Sequence, residues 1–221
     1  MREFFLHKSI TNLNSIKEDL KFKIKNYQNI KIIAVSKTFP IEVIEPLIEH
    51  GHLEYGENKV QEAINKWTDK KLSNPNIKLH LIGKLQTNKV KFALEVFDYI
   101  HSVDNKKLAK KIADEELKQN KKIKIFLQIN IGNEEQKSGI DKDYLQDLYS
   151  YCKDLNLDIV GLMCIPPAEH KPEIFFKEMD LLAKKFNLLE LSMGMSADYI
   201  EAAKNSSTYL RIGSNIFGKR G

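Results

Sequence analysis

The chain has 221 residues, 42% of them hydrophobic and 29% charged, with a net charge of +5. That is enough to bury one full core, as a single barrel-sized domain or two small ones. No apolar run approaches the roughly 20 residues that span a bilayer, and the lysines are scattered among acids as in "KKLAKKIADEELKQNKK", which excludes a membrane span and a basic, aromatic-interleaved nucleic-acid surface.

In chain order, Ile10, Leu13, Ile16, Leu20 and Phe22 or Ile24 recur at helical spacing, so the first 26 residues are expected to form one amphipathic helix. After it comes a beat of short β-rich runs: "KIIAVSK" (31–37), "LEYGE" (53–57), "KLHLIG" (78–83), "DYIHSV" (98–103), "KIKIFLQINI" (122–131), "DIVGLMC" (158–164), "LLELSMG" (188–194) and "STYLRIG" (207–213). Helical stretches such as "KVQEAINKW", "KLAKKIADEEL" and "PEIFFKEMDLLAKKF" lie between them, and the Pro-rich "CIPPAEHKPE" reads as a loop after the sixth run. Strands alternating with helices argue for parallel pairing through crossovers, and this number of units predicts a closed (β/α)8 TIM barrel preceded by an extra helix, one domain over 1–221. The alternative is an open doubly wound sheet, which usually offers about five or six strands and a Gly-rich first turn. Neither GxGxxG nor GxxxxGK[ST] occurs.

A barrel of this kind builds its site from the C-terminal strand ends. Polar and glycine-containing stretches fall there repeatedly: Lys37, "GEN" (56–58), "IGKLQTNK" (82–89), "HSVD" (101–104), Asn130, "MGMS" (193–196) and "RIGS" (211–214). The last two loops suit a phosphate, with Ser196 as the expected N-cap of one helix and Gly213 and Ser214 opening a second. Strand one closes the ring beside strand eight, so Lys37 can reach a carbonyl on the same ligand. Burial and nearby positive charge would favour the neutral amine that a Schiff base needs. Arginine is scarce, occurring only at positions 2, 211 and 220, which makes Arg211 between apolar neighbours informative. It could face a pyridine nitrogen and keep it unprotonated. Cys152 and Cys164 have neither CxxC spacing nor His partners and read as packing residues.

"AVSKT", "YGENKVQE", "HLIGKLQTNK", "SVD", "QKSG", "GLM", "LSMGMSAD" and "RIGSNIFGKR" together resemble the pyridoxal phosphate homeostasis protein family, in the family's order and over nearly the whole chain. The resemblance implies the barrel of the alanine racemase N-terminal-domain type and pyridoxal 5′-phosphate as cofactor. It makes Lys37 the Schiff-base lysine and Ser196, Gly213 and Ser214 the phosphate contacts. Arg211 becomes the ring-nitrogen partner, with Asn58 and Met193 near the ring. Three positions depart from the family pattern: Leu79 stands where tryptophan is common, Ser214 where threonine is frequent, and Asn205-Ser206 where a glycine turn is typical, a turn that the left-handed tolerance of asparagine preserves.

The expected role is a cytoplasmic carrier or buffer of the cofactor in vitamin B6 homeostasis, a monomer able to pass its load to apo-enzymes. With the whole chain expected to form the barrel, no residues are expected for the second domain from which the similar alanine racemases draw a tyrosine base. The alternatives are a cofactor-dependent racemase or lyase, with His80, His101 or Tyr55 as the second base, and a lysine-dependent aldolase acting on a phosphorylated sugar.

Overall fold

The computed structural model describes residues 6–219. Helix α1 (Lys8–Lys23) begins at His7, whose Nδ1 accepts the Ser9 N–H at 3.3 Å, and buries Ile10, Leu13, Ile16 and Leu20. It is shorter than the expected first 26 residues. Phe22 is solvent-facing, and Ile24 lies past the helix end, partly buried against the core. The first five residues of that expected helix lie outside the described range.

Eight parallel strands follow and close on themselves in sequence order. They are β1 (Lys31–Val35), β2 (Glu54–Glu57), β3 (Lys78–Leu81), β4 (Tyr99–Val103), β5 (Lys124–Ile129), β6 (Asp158–Cys164), β7 (Glu190–Ser192) and β8 (Tyr209–Ile212). The register Lys31↔Tyr209 through Ala34↔Ile212 joins β8 to β1 and removes the sheet edges. All eight expected strands are present, most of them trimmed where their flanking residues turn into the rim loops.

Crossovers run through α2 (Ile41–Glu49), α3 (Val60–Ser73), α4 (Val90–Val96), α5 (Lys106–Gln119), α6 (Leu145–Asp154), α7 (Pro172–Lys185) and α8 (Tyr199–Lys204), and a last turn, α9 (Ser214–Phe217), follows β8. Helix α7 starts on Pro172, where a missing N–H costs nothing, directly after the Pro-rich loop. The turn before β8 is left-handed at Ser206 (φ 68°) and not at Asn205, so the serine takes the strained position.

Strand alternation separates two apolar layers. Ile33, Val35, Tyr99, Phe126, Met163 and Tyr209 fill the barrel interior, while the opposite faces pack against the helices in the larger core. Helix α1 does more than cover the barrel. Its Asn12 Nδ2 donates to the Ile216 carbonyl at 2.9 Å, and its Asp19 Oδ2 accepts from the Tyr199 hydroxyl at 3.0 Å. It therefore holds α8 and α9, which carry the loops after β7 and β8.

Candidate functional site

A cleft of about 530 Å³ opens at the C-terminal ends of the strands, within the range of small-molecule and cofactor sites. Strand β1 ends on Val35 and the turn after it carries Lys37 to the cleft, and the loops after β2 and β3 bring Asn58 and Ile82. Ile165 comes from the loop after β6, Met195, Ser196 and Ala197 from the loop after β7, and Arg211, Gly213 and Ser214 from β8 and its helix. Lys219 completes the lining. Three cationic side chains and no carboxylate face this space among the described residues, an arrangement suited to an anion.

Six of the seven residues expected at the site thus meet in one cleft: Lys37, Asn58, Ser196, Arg211, Gly213 and Ser214. Met193 does not reach it. Its neighbour Ser192 points into the barrel, hydrogen-bonded to Arg211, so alternation turns the Met193 side chain outward, where it is fully buried in the core beneath the helices. Met195 takes a place in the lining instead, beyond Gly194, whose φ of 89° redirects the chain. Ser196 is not an N-cap, because α8 begins after Asp198. Its hydroxyl accepts the Asn215 N–H at 3.4 Å and its carbonyl accepts Asn215 Nδ2 at 2.9 Å, so the loops after β7 and β8 are clasped together.

The strand ends that present Lys37 and Asn58 are braced from behind. Glu57, fully buried, accepts from Ser36 Oγ at 2.7 Å, Lys66 Nζ at 2.9 Å and Trp67 Nε1 at 3.0 Å, all on Oε1, while Oε2 has no hydrogen-bond partner. Burial outweighs these donors and pushes the Glu57 carboxyl above its ordinary value. Thr38, immediately after Lys37, has φ 69°, a left-handed conformation that a β-branched residue adopts only under constraint. The constraint is Glu62, whose Oε1 accepts the Thr38 N–H at 2.6 Å. Burial of Glu62 works against its charge, but the Thr38 N–H and Lys66 outweigh it and hold this carboxylate below its usual range.

Arg211 is almost wholly buried, with Nη1 donating to Ser192 Oγ at 2.7 Å and Nη2 to the Cys164 carbonyl at 2.9 Å. Burial pulls its guanidinium down from the ordinary value, yet an arginine stays charged in a protein. Ser192, Glu57, Glu62 and the Cys164 carbonyl are the supporting groups that sequence reading misses. Cys152 and Cys164 are both buried thiols, pushed by burial up to about 12, as expected of packing residues. Neither His80, His101 nor Tyr55 lines the cleft. The two histidines lie inside the barrel, and Tyr55 packs on Trp67 with ring centres 4.7 Å apart.

Residues 11–221 match the sequence profile of the alanine racemase N-terminal domain. A pyridoxal phosphate homeostasis protein of Aquifex aeolicus is 38% identical over 86% of this chain and 87% of its own length, and one from Haemophilus influenzae is 35% identical over 95% and 94%. PipY of Synechococcus elongatus, a COG0325 family member whose structure is known with PLP bound, superposes with a TM-score of 0.85 at 32% identity, over 95% of this chain and all of that one. An alanine racemase of Clostridium difficile shares only the fold, with a TM-score of 0.74 at 16% identity over 57% of its length. With its barrel, its rim cleft and these relatives in agreement, the chain belongs to the pyridoxal phosphate homeostasis protein family and carries the alanine racemase N-terminal domain.

Proposed function

We propose that this protein holds pyridoxal 5′-phosphate covalently through Lys37 and serves in the cytoplasm as a carrier or buffer of the cofactor, passing it to apo-enzymes rather than catalysing a reaction of its own. The observation that carries the reading is the meeting of an amine from the turn after β1 with two hydroxyls, Ser196 and Ser214, that face one cleft from the loops after β7 and β8. The relatives' names and the PLP-bound PipY support it.

The donor set fits the cofactor. A dianionic phosphate would find the Ser196 and Ser214 hydroxyls on the two clasped loops, beside the Ser214 N–H that opens α9. Lys37 supplies the nucleophilic amine for the aldehyde carbon. The apolar walls at Val35, Ile82, Ile165 and Met195 suit a flat heteroaromatic ring and keep water from its faces. Bound there, the cofactor would supply an electrophilic aldehyde and a ring able to withdraw electrons. Arg211, a fixed cation with two of its N–H groups already committed to the protein, would keep a proton off the ring nitrogen and weaken that withdrawal. Such a site favours holding the cofactor over carbanion chemistry.

The test is borohydride reduction of the protein incubated with pyridoxal 5′-phosphate, followed by peptide mass mapping. The expected result is a single modified peptide carrying Lys37, lost in Lys37→Ala while that variant keeps its unfolding midpoint. Labelling that persists in Lys37→Ala, or a wild-type protein that takes up no cofactor, overturns the proposal.

A further inference from the structure

Arg211 is one end of a continuous chain of hydrogen bonds that crosses the barrel interior. Ser192 Oγ, which accepts from Arg211 Nη1 at 2.7 Å, lies 2.8 Å from His101 Nδ1. His101 Nε2 lies 2.9 Å from His80 Nδ1, and His80 Nε2 lies 2.6 Å from Glu54 Oε2. Both imidazoles and Ser192 are completely buried. Glu54 is the first residue of β2, at the N-terminal end of the barrel, and it retains some contact with solvent.

The chemistry of the groups gives the chain a single direction. Arginine only donates and a carboxylate only accepts. A carboxylate beside His80 Nε2 requires the proton there, which leaves Nδ1 of that neutral ring as an acceptor. His101 must then carry its proton on Nε2 and offer Nδ1 as an acceptor in turn. The Ser192 hydroxyl donates to that nitrogen and keeps its lone pairs for Arg211. Each ring is also clamped in plane: His80 stacks on Tyr99 with centres 4.4 Å apart, and His101 on Phe126 at 4.2 Å.

We infer that Ser192, His101, His80 and Glu54 are positioning residues, a one-way hydrogen-bond chain that fixes which N–H groups of Arg211 remain for the ligand ring. The inference rests on the reading of the cleft as a pyridoxal phosphate site with Arg211 toward the ring. The mechanism is electrostatic as well as geometric. Burial holds both imidazoles neutral, below their ordinary values, so the buried guanidinium at one end is matched by the Glu54 carboxylate at the other through polarised neutral links. Glu54 touches nothing in the cleft, yet it decides the tautomer of His80 and through it that of His101.

The experiment is 15N NMR of histidine-labelled, ligand-free protein, in the wild type and in Glu54→Gln, followed by the absorbance spectrum of each after loading with pyridoxal 5′-phosphate. In the wild type, His80 and His101 are expected as single Nε2-protonated tautomers. Glu54→Gln can present either an oxygen or an amide N–H to His80, so both rings should become tautomer mixtures while the fold is retained. The bound-cofactor absorbance band should shift in Glu54→Gln and in Ser192→Ala in the same direction. A wild-type His101 protonated on Nδ1, or a His101 tautomer unchanged by Glu54→Gln, overturns the chain. An altered tautomer with an unshifted band overturns the link to the ring. Failure of the wild type to take up cofactor at all falsifies the reading of the cleft, while the ligand-free spectra still decide the chain itself.

Discussion

Ser36 Oγ donates to Glu57 Oε1 at 2.7 Å, tying the residue before Lys37 to the residue before Asn58. Both partners are fully buried, and the same oxygen gathers Lys66 Nζ and Trp67 Nε1 from α3. The two strand ends that form one wall of the cleft are therefore held by a single carboxylate atom and by the helix that follows β2.

Removing that carboxylate should be costly. Glu57→Ala removes the acceptor of the buried Trp67 N–H and of the Ser36 hydroxyl, while the Lys66 ammonium loses one of two carboxylates and keeps Glu62 Oε1 at 3.1 Å and the Ser36 carbonyl at 3.0 Å. Leaving a buried donor without an acceptor costs about 1–3 kcal/mol. The urea midpoint of Glu57→Ala should fall accordingly. Glu57→Gln keeps an acceptor in place and should lose less. Equal midpoints for wild type and Glu57→Ala would show that water replaces the brace.

At the other side of the cleft the exposed hydroxyl of Ser214 is expected to contact the cofactor phosphate. A hydrogen bond to a charged group is worth roughly 1.5–3 kcal/mol, so Ser214→Ala should weaken pyridoxal 5′-phosphate binding by about tenfold or more. Ser214→Thr keeps the hydroxyl and should bind like wild type. Fluorescence titration with the cofactor reads both. If threonine fails as badly as alanine, shape and not the hydroxyl decides affinity at this position.

The fold was legible in the sequence because its signals are local: eight β-rich runs, each bounded by turn residues, and amphipathic helices between them. So was most of the cleft's lining. Ile33 and Val35 point into the barrel, and Lys37 continues that parity to the mouth. The same parity rule excludes Met193, but applying it requires knowing that Ser192 faces inward, and the partners that show this come from β4 and β8. The clasp between Ser196 and Asn215 joins two loops 19 residues apart, whereas a serine before a helical run reads locally as a cap. The left-handed Thr38 leaves no trace in composition, since its cause is a carboxylate 24 residues downstream. What escaped the sequence was set by contacts between segments far apart in the chain.

Acid should destabilise the protein in a defined window. His52 Nε2 lies 2.9 Å from the Glu54 carbonyl. Burial, with Lys17 in support, overrides this contact, which favours the cation, and pulls the imidazole down from 6.5 to about 4. The unfolded chain then takes up the proton first. This contribution is complete above 6.5, is lost as pH falls through the window, and is gone by about 4. The shift corresponds to about 3 kcal/mol. His80 and His101 are depressed by burial in the same direction and add to the loss. Glu54 extends the loss to more acid pH: despite its burial, the hydrogen bond from His80 holds it below its usual 4.5, so its contribution disappears only as pH falls below that value. Glu57 opposes them, because a carboxyl raised by burial is relieved on protonation. With three histidines against one carboxyl in this window, the urea midpoint should drop steadily between about pH 6.5 and pH 4. His52→Gln retains a donor for the Glu54 carbonyl and removes the titration, so its curve should be shallower than the wild type's over that window. A wild-type midpoint that does not move there would mean that these imidazoles ionise as freely in the fold as in the unfolded chain.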